Sequence, residues 1–194
     1  ERLGYAPNPL AQILKRKSSN LIGTVVFTRE SSFYAAIVQA ADEAVRAGGY
    51  ETITADMGKR SDRLTQCVDL MTAWRVEGII AVVGGHAFDR RQLDMLRRAG
   101  IGLAIVGPLR AEYPIPCLNV DNFGAGRALG GHLLDLGHRH IGVIAGNFEH
   151  DCSVERIRGL RTVMRERGIE LPEESIVRAS DCRFEIATGF RAAA

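Results

Sequence analysis

Residues 78–83, Gly-Ile-Ile-Ala-Val-Val, form an apolar run of strand length with no polar side chain to turn toward water. A run of this kind suits a parallel strand covered on both faces, not an antiparallel one with a wet side. Helical stripes flank it. Leu64, Val68, Met71 and Trp74 precede it, and Leu93, Leu96 and Ala99 follow it, ended by Gly100. The same alternation runs along the chain. A buried strand at 21–27 leads to a stripe of Phe33, Ile37, Ala40, Ala41, Ala44 and Val45 that stops at Gly48-Gly49. Tyr50 to Ala55 reads as a strand, and so does Gly102 to Val106. After a loop bearing Pro108, Pro114 and Pro116 the alternation restarts: strand from Cys117 to Val120, helix from Phe123 to Leu136, strand from Ile141 to Ala145, helix from Ser153 to Arg167. Strand and helix at this spacing predict βαβ units and doubly wound parallel sheets, an α/β chain. The break near Pro114–Asp121 is the expected crossing between two lobes.

The first twenty residues differ in kind. Asn8 is a good N-cap and Pro9 suits the first helical position. Leu10, Ile13 and Leu14 fall on one helical face, followed by Lys15, Arg16 and Lys17. A helix of about two turns is not stable alone in water and requires a partner. Residues 1–20 carry four cations against Glu1, a net +3, whereas the whole chain is +2, so the remainder is −1. The basic character is confined to this segment. Charge alone fits either a polyanion contact or a solvated linker.

Tyr5-Ala-Pro-Asn-Pro-Leu-Ala-Gln-Ile-Leu14, then Ser19-Asn-Leu-Ile-Gly23, resembles the junction of the LacI/GalR family of bacterial transcription regulators. There a helix-turn-helix domain is followed by a hinge helix and an effector-binding core. Val120-Asp121-Asn122 with Gly126, Leu136-Gly-His-Arg-His-Ile-Gly-Val-Ile-Ala-Gly146, and Arg156-Ile-Arg-Gly159 match further, in the family's order. The resemblance implies a two-lobe, periplasmic-binding-protein-like core. Residues 1–20 would be the end of the DNA-binding region and the hinge helix, 21–117 the N-terminal lobe, and 118–194 a partial C-terminal lobe. With about 75 residues left after 118, the second lobe reads as incomplete and the chain as an interior portion of a larger regulator.

The resemblance also implies roles. Two hinge helices of a homodimer would lie in the minor groove of operator DNA. Leu14 would wedge into a base step with Ala11 beside it, Asn8 would cap the helix and reach phosphate, and Lys15 and Arg16 would add attraction. A small-molecule effector would bind between the lobes and decide whether the hinge helices form. Tyr34 is a candidate to stack on its ring, or is a core or interface aromatic. Asp121 is a candidate to accept from a ligand hydroxyl, or caps the following helix. Sugar-binding members commonly place arginine where this chain has Val154. A valine cannot fork-bond hydroxyls or a carboxylate, which argues against a plain sugar and leaves Arg156 a structural role; the expected effector class is a sugar derivative or sugar acid.

Other motifs give less. Gly124-Ala-Gly126-Arg-Ala-Leu-Gly130 departs by one residue from a dinucleotide-binding loop, and packing of helix on strand explains its glycines. His132, His138 and His140 lack a cysteine or carboxylate to complete a tetrahedral metal set. Ser31-Ser32 has no His and Asp arrangement to make a nucleophile. Cys67, Cys117, Cys152 and Cys182 have no CxxC spacing and read as reduced thiols. No apolar stretch approaches the roughly 20 residues of a membrane span. The expectation is a cytoplasmic regulator with no metal, cofactor or catalytic activity. The alternatives are a solute-binding protein serving a transporter and a nucleotide-dependent oxidoreductase.

Overall fold

A computed structural model describes residues 18–83, 88–107, 114–145 and 151–178. Asn8, Ala11, Leu14, Lys15 and Arg16, the residues expected in a hinge helix, lie outside the described residues, as does Cys182. The chain divides into two compact units, Glu1–Leu118 and Asn119–Ala194.

The first unit holds β1 (Leu21–Val26), α1 (Ser32–Ala47), β2 (Glu51–Asp56), α2 (Leu64–Ala73), β3 (Gly78–Val82), α3 (Arg90–Ala99), β4 (Gly102–Val106) and β5 (Cys117–Leu118). A single 3-10 turn, Ser61–Arg63, precedes α2. The five strands are all parallel, in the order β2-β1-β3-β4-β5. The apolar run at 78–83 becomes β3, between β1 and β4, with Ile79, Ala81, Val82 and Val83 all buried. The large apolar cluster lies on the side of the sheet under α2 and α3, and Thr24, Val26 and Val82 are buried on the other side. Val25, Ile79, Ala81 and Ile105 meet Leu64, Cys67, Val68 and Met71 from α2, and Leu93 and Leu96 from α3. Gly23 is required here, because a Cβ at that position would stand 2.5 Å from the Met71 sulfur.

Local chemistry sets the ends of α3. Asp89 accepts from the Gln92 N–H at 2.7 Å while the Gln92 side chain accepts from the Asp89 N–H at 2.8 Å, a reciprocal cap. Gly100 closes the helix at φ 70°, a left-handed conformation that glycine adopts without strain. By contrast, α1 forms as its stripe predicts yet has no buried residue. Phe33 is 54% exposed, and Ala36, Ala40 and Ala44 are exposed beside it.

The second unit holds α4 (Asn122–Asp135), β6 (Val143–Ala145), α5 (Asp151–Glu166), a 3-10 turn at Glu173–Ser175, and β7 (Ile176–Arg178). β6 and β7 pair in parallel, Val143 beside Ile176 and Ala145 beside Arg178. Leu134, Ile157, Leu160, Val163, Met164 and Ile176 make its core. The glycines of α4 correct a sequence expectation: they serve helix-on-helix packing, not helix on strand. A Cβ at Gly126 would stand 2.0 Å from the Arg156 carbonyl oxygen, and one at Gly159 would stand 2.1 Å from that of Phe123. Gly130 faces Leu160 and Val163. Arg127 and Glu166 tie the two helices at the surface through two hydrogen bonds of 2.6 and 2.9 Å, which hold the Glu166 carboxyl below its usual range. Gly137 ends the helix at φ 91°, and the His138 N–H donates to the Leu133 carbonyl, so His138 sits in a helix-end turn.

Candidate functional site

In an open parallel sheet, ligands are held outside the carboxyl ends of the strands where the strand order reverses. In the first unit that point lies between β1 and β3. The backbone there is well tied: the Phe27 N–H donates to Val82, the Met57 N–H to Val26 and the Lys59 N–H to Phe27, each at 2.9 Å. Asp56 organises the neighbouring loop. One oxygen accepts from the Gly58 N–H at 2.7 Å, and the other from the backbone N–H and Nε of Arg29 at 3.2 and 3.3 Å. Lys59 and Glu30 pair at 2.6 Å. The charges of the loops after β1 and β2 are therefore largely paired with one another. Tyr34 opens α1 beside it, half-buried, its ring edge-on to Phe27 at 6.1 Å and to Phe33 at 5.5 Å.

In the second unit Asp121 caps α4, accepting from the Gly124 N–H at 2.7 Å. One of its oxygens is thus committed to the helix. The next residue, Asn122, accepts from Arg156 Nε at 2.8 Å. That bond turns the Arg156 guanidinium, whose two terminal nitrogens meet no partner among the described residues. Gly126 lies directly against the Arg156 backbone and so helps fix its position. Arg158, two residues on, covers the Phe123 ring at 4.7 Å. Val154 is exposed on the same helix. Sequence reasoning gave Arg156 a structural role only. Its pairing partner lies 34 residues away in sequence, so nothing local marked it.

A third cluster secures the point where the basic segment joins the sheet. The Ser18 hydroxyl donates to the Glu77 carboxylate at 2.6 Å, and the Asn20 N–H donates to the same oxygen at 2.8 Å. The Ser19 hydroxyl donates to the Arg75 carbonyl at 2.7 Å, and the Glu77 N–H to the Leu21 carbonyl at 2.8 Å. The Ser18 hydroxyl and the backbone N–H groups of Asn20 and Ser19 hold the Glu77 carboxyl below its usual range. Two left-handed turns, Asn20 at φ 53° and Arg75 at φ 52°, bring these groups together.

The profile of the family described as periplasmic binding proteins and sugar binding domain of LacI family matches residues 19–192. The chain belongs to this family. Among its LacI-type relatives is the HTH-type transcriptional repressor PurR of Actinobacillus pleuropneumoniae, 26% identical over 190 residues, covering 98% of this chain and 55% of the relative. The ribose operon repressor of Haemophilus influenzae is 29% identical over 181 residues, 90% of this chain and 52% of the relative. The chain spans about half the length of these curated relatives. Its fold is shared with the lac repressor dimer bound to operator and the anti-inducer ONPF, with a TM-score of 0.76 at 22% identity over 97% of this chain and 64% of that one. It is shared also with a CelR–cellobiose complex, with a TM-score of 0.73 at 24% identity over 98% and 56%. The curated relatives named here are repressors, not enzymes. Among the described residues no helix is long and apolar enough to cross a membrane.

Proposed function

We propose that this chain is the hinge and effector-binding portion of a DNA-binding transcriptional repressor whose operator affinity follows a small-molecule effector. The observation that carries this reading is the junction. A segment of net +3 enters the first strand through the bonds of Ser18, Ser19 and Asn20 to Arg75 and Glu77. The family's LacI branch supplies the class, and its named repressors favour regulation over solute transport. Asn8, Ala11, Leu14, Lys15 and Arg16 are the proposed minor-groove contacts, Leu14 as the wedge. Tyr34 and Asp121 remain the proposed effector contacts, and Arg156, whose terminal nitrogens have no partner among the described residues, joins them. The Arg156 guanidinium suits an oxygen-rich ligand such as a sugar derivative or sugar acid. The uncovered face of α1, Phe33 with Ala36, Ala40 and Ala44, is the proposed homodimer contact, and the protein acts in the cytoplasm without catalysing a reaction.

Selection of a binding sequence by the intact protein, followed by affinity measurement for Leu14→Ala, tests the reading. Loss of about tenfold or more, at least ~1.4 kcal/mol, is expected on the selected duplex. An intact protein that selects no sequence refutes the function. Unchanged affinity for Leu14→Ala removes the wedge. For the effector, thermal shift with sugars, sugar acids and sugar phosphates should show stabilisation that Arg156→Leu abolishes.

A further inference from the structure

Resting on that reading, we propose a second, sequence-independent contact to the DNA backbone: the amino-terminal rim of the first sheet, through Arg75, Arg97 and Arg98. All five strands run parallel, so β1 to β4 begin at one end of the unit, where α1, α2 and α3 finish. The basic segment enters at that same end, at Leu21. Gly78 pairs with Ile22 on one side and with Gly102 on the other, which sets the start of β4 two strand spacings, about 10 Å, from the start of β1. Arg97 and Arg98 form the last turn of α3 just before Gly102. Arg75 lies between, its carbonyl bonded directly to Ser19. A duplex gripped by residues before Ser18 is therefore presented to all three side chains.

Their electrostatic setting supports this. Arg75, Arg97 and Arg98 are exposed, and none makes a side-chain ion pair or hydrogen bond among the described residues. At the opposite end of the sheet Arg29, Lys59 and Arg60 are each paired with a carboxylate, at 3.3, 2.6 and 2.6 Å, while Arg90 and Arg91 are exposed there with no ion pair among the described residues. At the rim itself Arg46 is paired with Asp42, the Glu77 carboxylate is engaged by Ser18 and Asn20, and Glu43, Glu51 and Asp69 are exposed carboxylates. Cations at a helix C-terminus commonly serve only the helix dipole. Arg75 directly follows the Trp74 C-cap of α2, so all three cations also suit helix dipoles, and the salt slope separates that role from a phosphate contact.

The test uses the intact protein and the salt dependence of its binding to operator and to random duplex. Each phosphate neutralised contributes about 0.9 to the slope of log K against log salt. The triple variant R75Q/R97Q/R98Q should lower the slope by about 2–3 and weaken both duplexes by the same factor. R75K/R97K/R98K should keep the wild-type slope, because the contact needs charge rather than a fork. R90Q/R91Q removes charge from the far end of α3, about 10 Å along its axis and beyond the screening length of about 8 Å at physiological salt, and should leave the slope within 0.5 of wild type. An unchanged slope in the triple glutamine variant overturns the rim contact while operator selection by the parent leaves the regulator reading standing. Equal loss in R90Q/R91Q overturns it as well, showing a general field and no local contact. A parent that binds neither duplex removes both.

Discussion

Alanine at Gly126 or Gly159 should loosen the second unit, and the size of the effect follows from the geometry. The added methyl would lie 2.0 Å from the Arg156 carbonyl oxygen in the first case and 2.1 Å from the Phe123 carbonyl oxygen in the second. These are backbone atoms of the facing helix and have no rotamer to change. Restoring contact distance requires α4 and α5 to part by roughly 1 Å, and a gap of that size removes a quarter to a half of the dispersion attraction between the facing atoms. Overpacking on this scale costs about 1–3 kcal/mol and sometimes more, against which alanine returns about 1 kcal/mol through its helix propensity. With Leu134, Ile157, Leu160 and Val163 all in the adjoining core, the upper part of that range applies. A net loss of about 2 kcal/mol is expected, lowering the melting temperature by roughly 4–8 °C in a chain of this length. Gly131, in the same helix, is the control. A methyl there finds only a Val163 methyl, at 3.9 Å, so Gly131→Ala should gain about 0.5–1 kcal/mol. Thermal unfolding of the three variants, followed by circular dichroism, decides it. A melting temperature at or above wild type for Gly126→Ala and Gly159→Ala, or a loss for Gly131→Ala, would refute the interlocked-helix account.

Thr24 is fully buried in β1 and its hydroxyl has no partner among the described residues; Thr24→Val should therefore raise stability by about 1 kcal/mol in chemical denaturation, and a loss would show that the hydroxyl is satisfied. Glu77 has a folded-state pKa below its unfolded value, so its anchoring of Ser18 and Asn20 is present above about pH 4.3 and is lost as pH falls through the folded value. A carboxyl titration by NMR should give a midpoint below 4.3, and Glu77→Gln should speed hydrogen exchange at the Asn20 N–H; a midpoint at or above 4.3 contradicts the geometry. Asp121→Asn keeps a good helix cap, so stability should change by less than about 0.5 kcal/mol, whereas Asp121→Ala should cost about 1 kcal/mol. Effector-induced thermal shift lost in the asparagine variant assigns Asp121 to the ligand, and a shift retained there confines it to capping.

Most of the fold was legible because local preference and burial agree. The apolar run at 78–83 is a central strand because nothing in it needs water, and the α3 stripe ends where Gly100 permits a left-handed turn. Observed and expected bounds there differ by a residue or two. What stayed hidden was short or non-local. β7 has three residues, too few for any period to register, and the 3-10 turn at Ser61–Arg63 buries nothing. The stripe of α1 correctly gave a helix, but periodicity cannot say whether an apolar face meets the core or stays open. Phe33, half exposed, shows that the answer lies outside the helix itself.

The candidate site was harder to read for the same reason, and the glycines show why. Gly124, Gly126 and Gly130 were visible as a run needing close approach, and the reading went to a strand because a strand was the nearest element in sequence. For Gly126 and Gly130 the true neighbour is α5, some thirty residues away, and no local pattern carries that distance; Gly124 meets the capping Asp121. Arg156 was read from its own turn of helix, where it looks like one of several surface arginines. Its difference from Arg158 and Arg161 appears only when partners are named: Phe123 lies beneath Arg158, Glu173 takes Arg161, and Asn122 takes only the Nε of Arg156. The bonds that anchor the junction were likewise out of reach of local pattern. Ser18, Ser19 and Asn20 gain their role from Arg75 and Glu77, more than fifty residues on, which the parallel order of β1 and β3 brings alongside. In a parallel sheet every contact between neighbouring strands spans a crossover. The residues that anchor an entering segment must therefore come from distant sequence, and only the register of the strands reveals them.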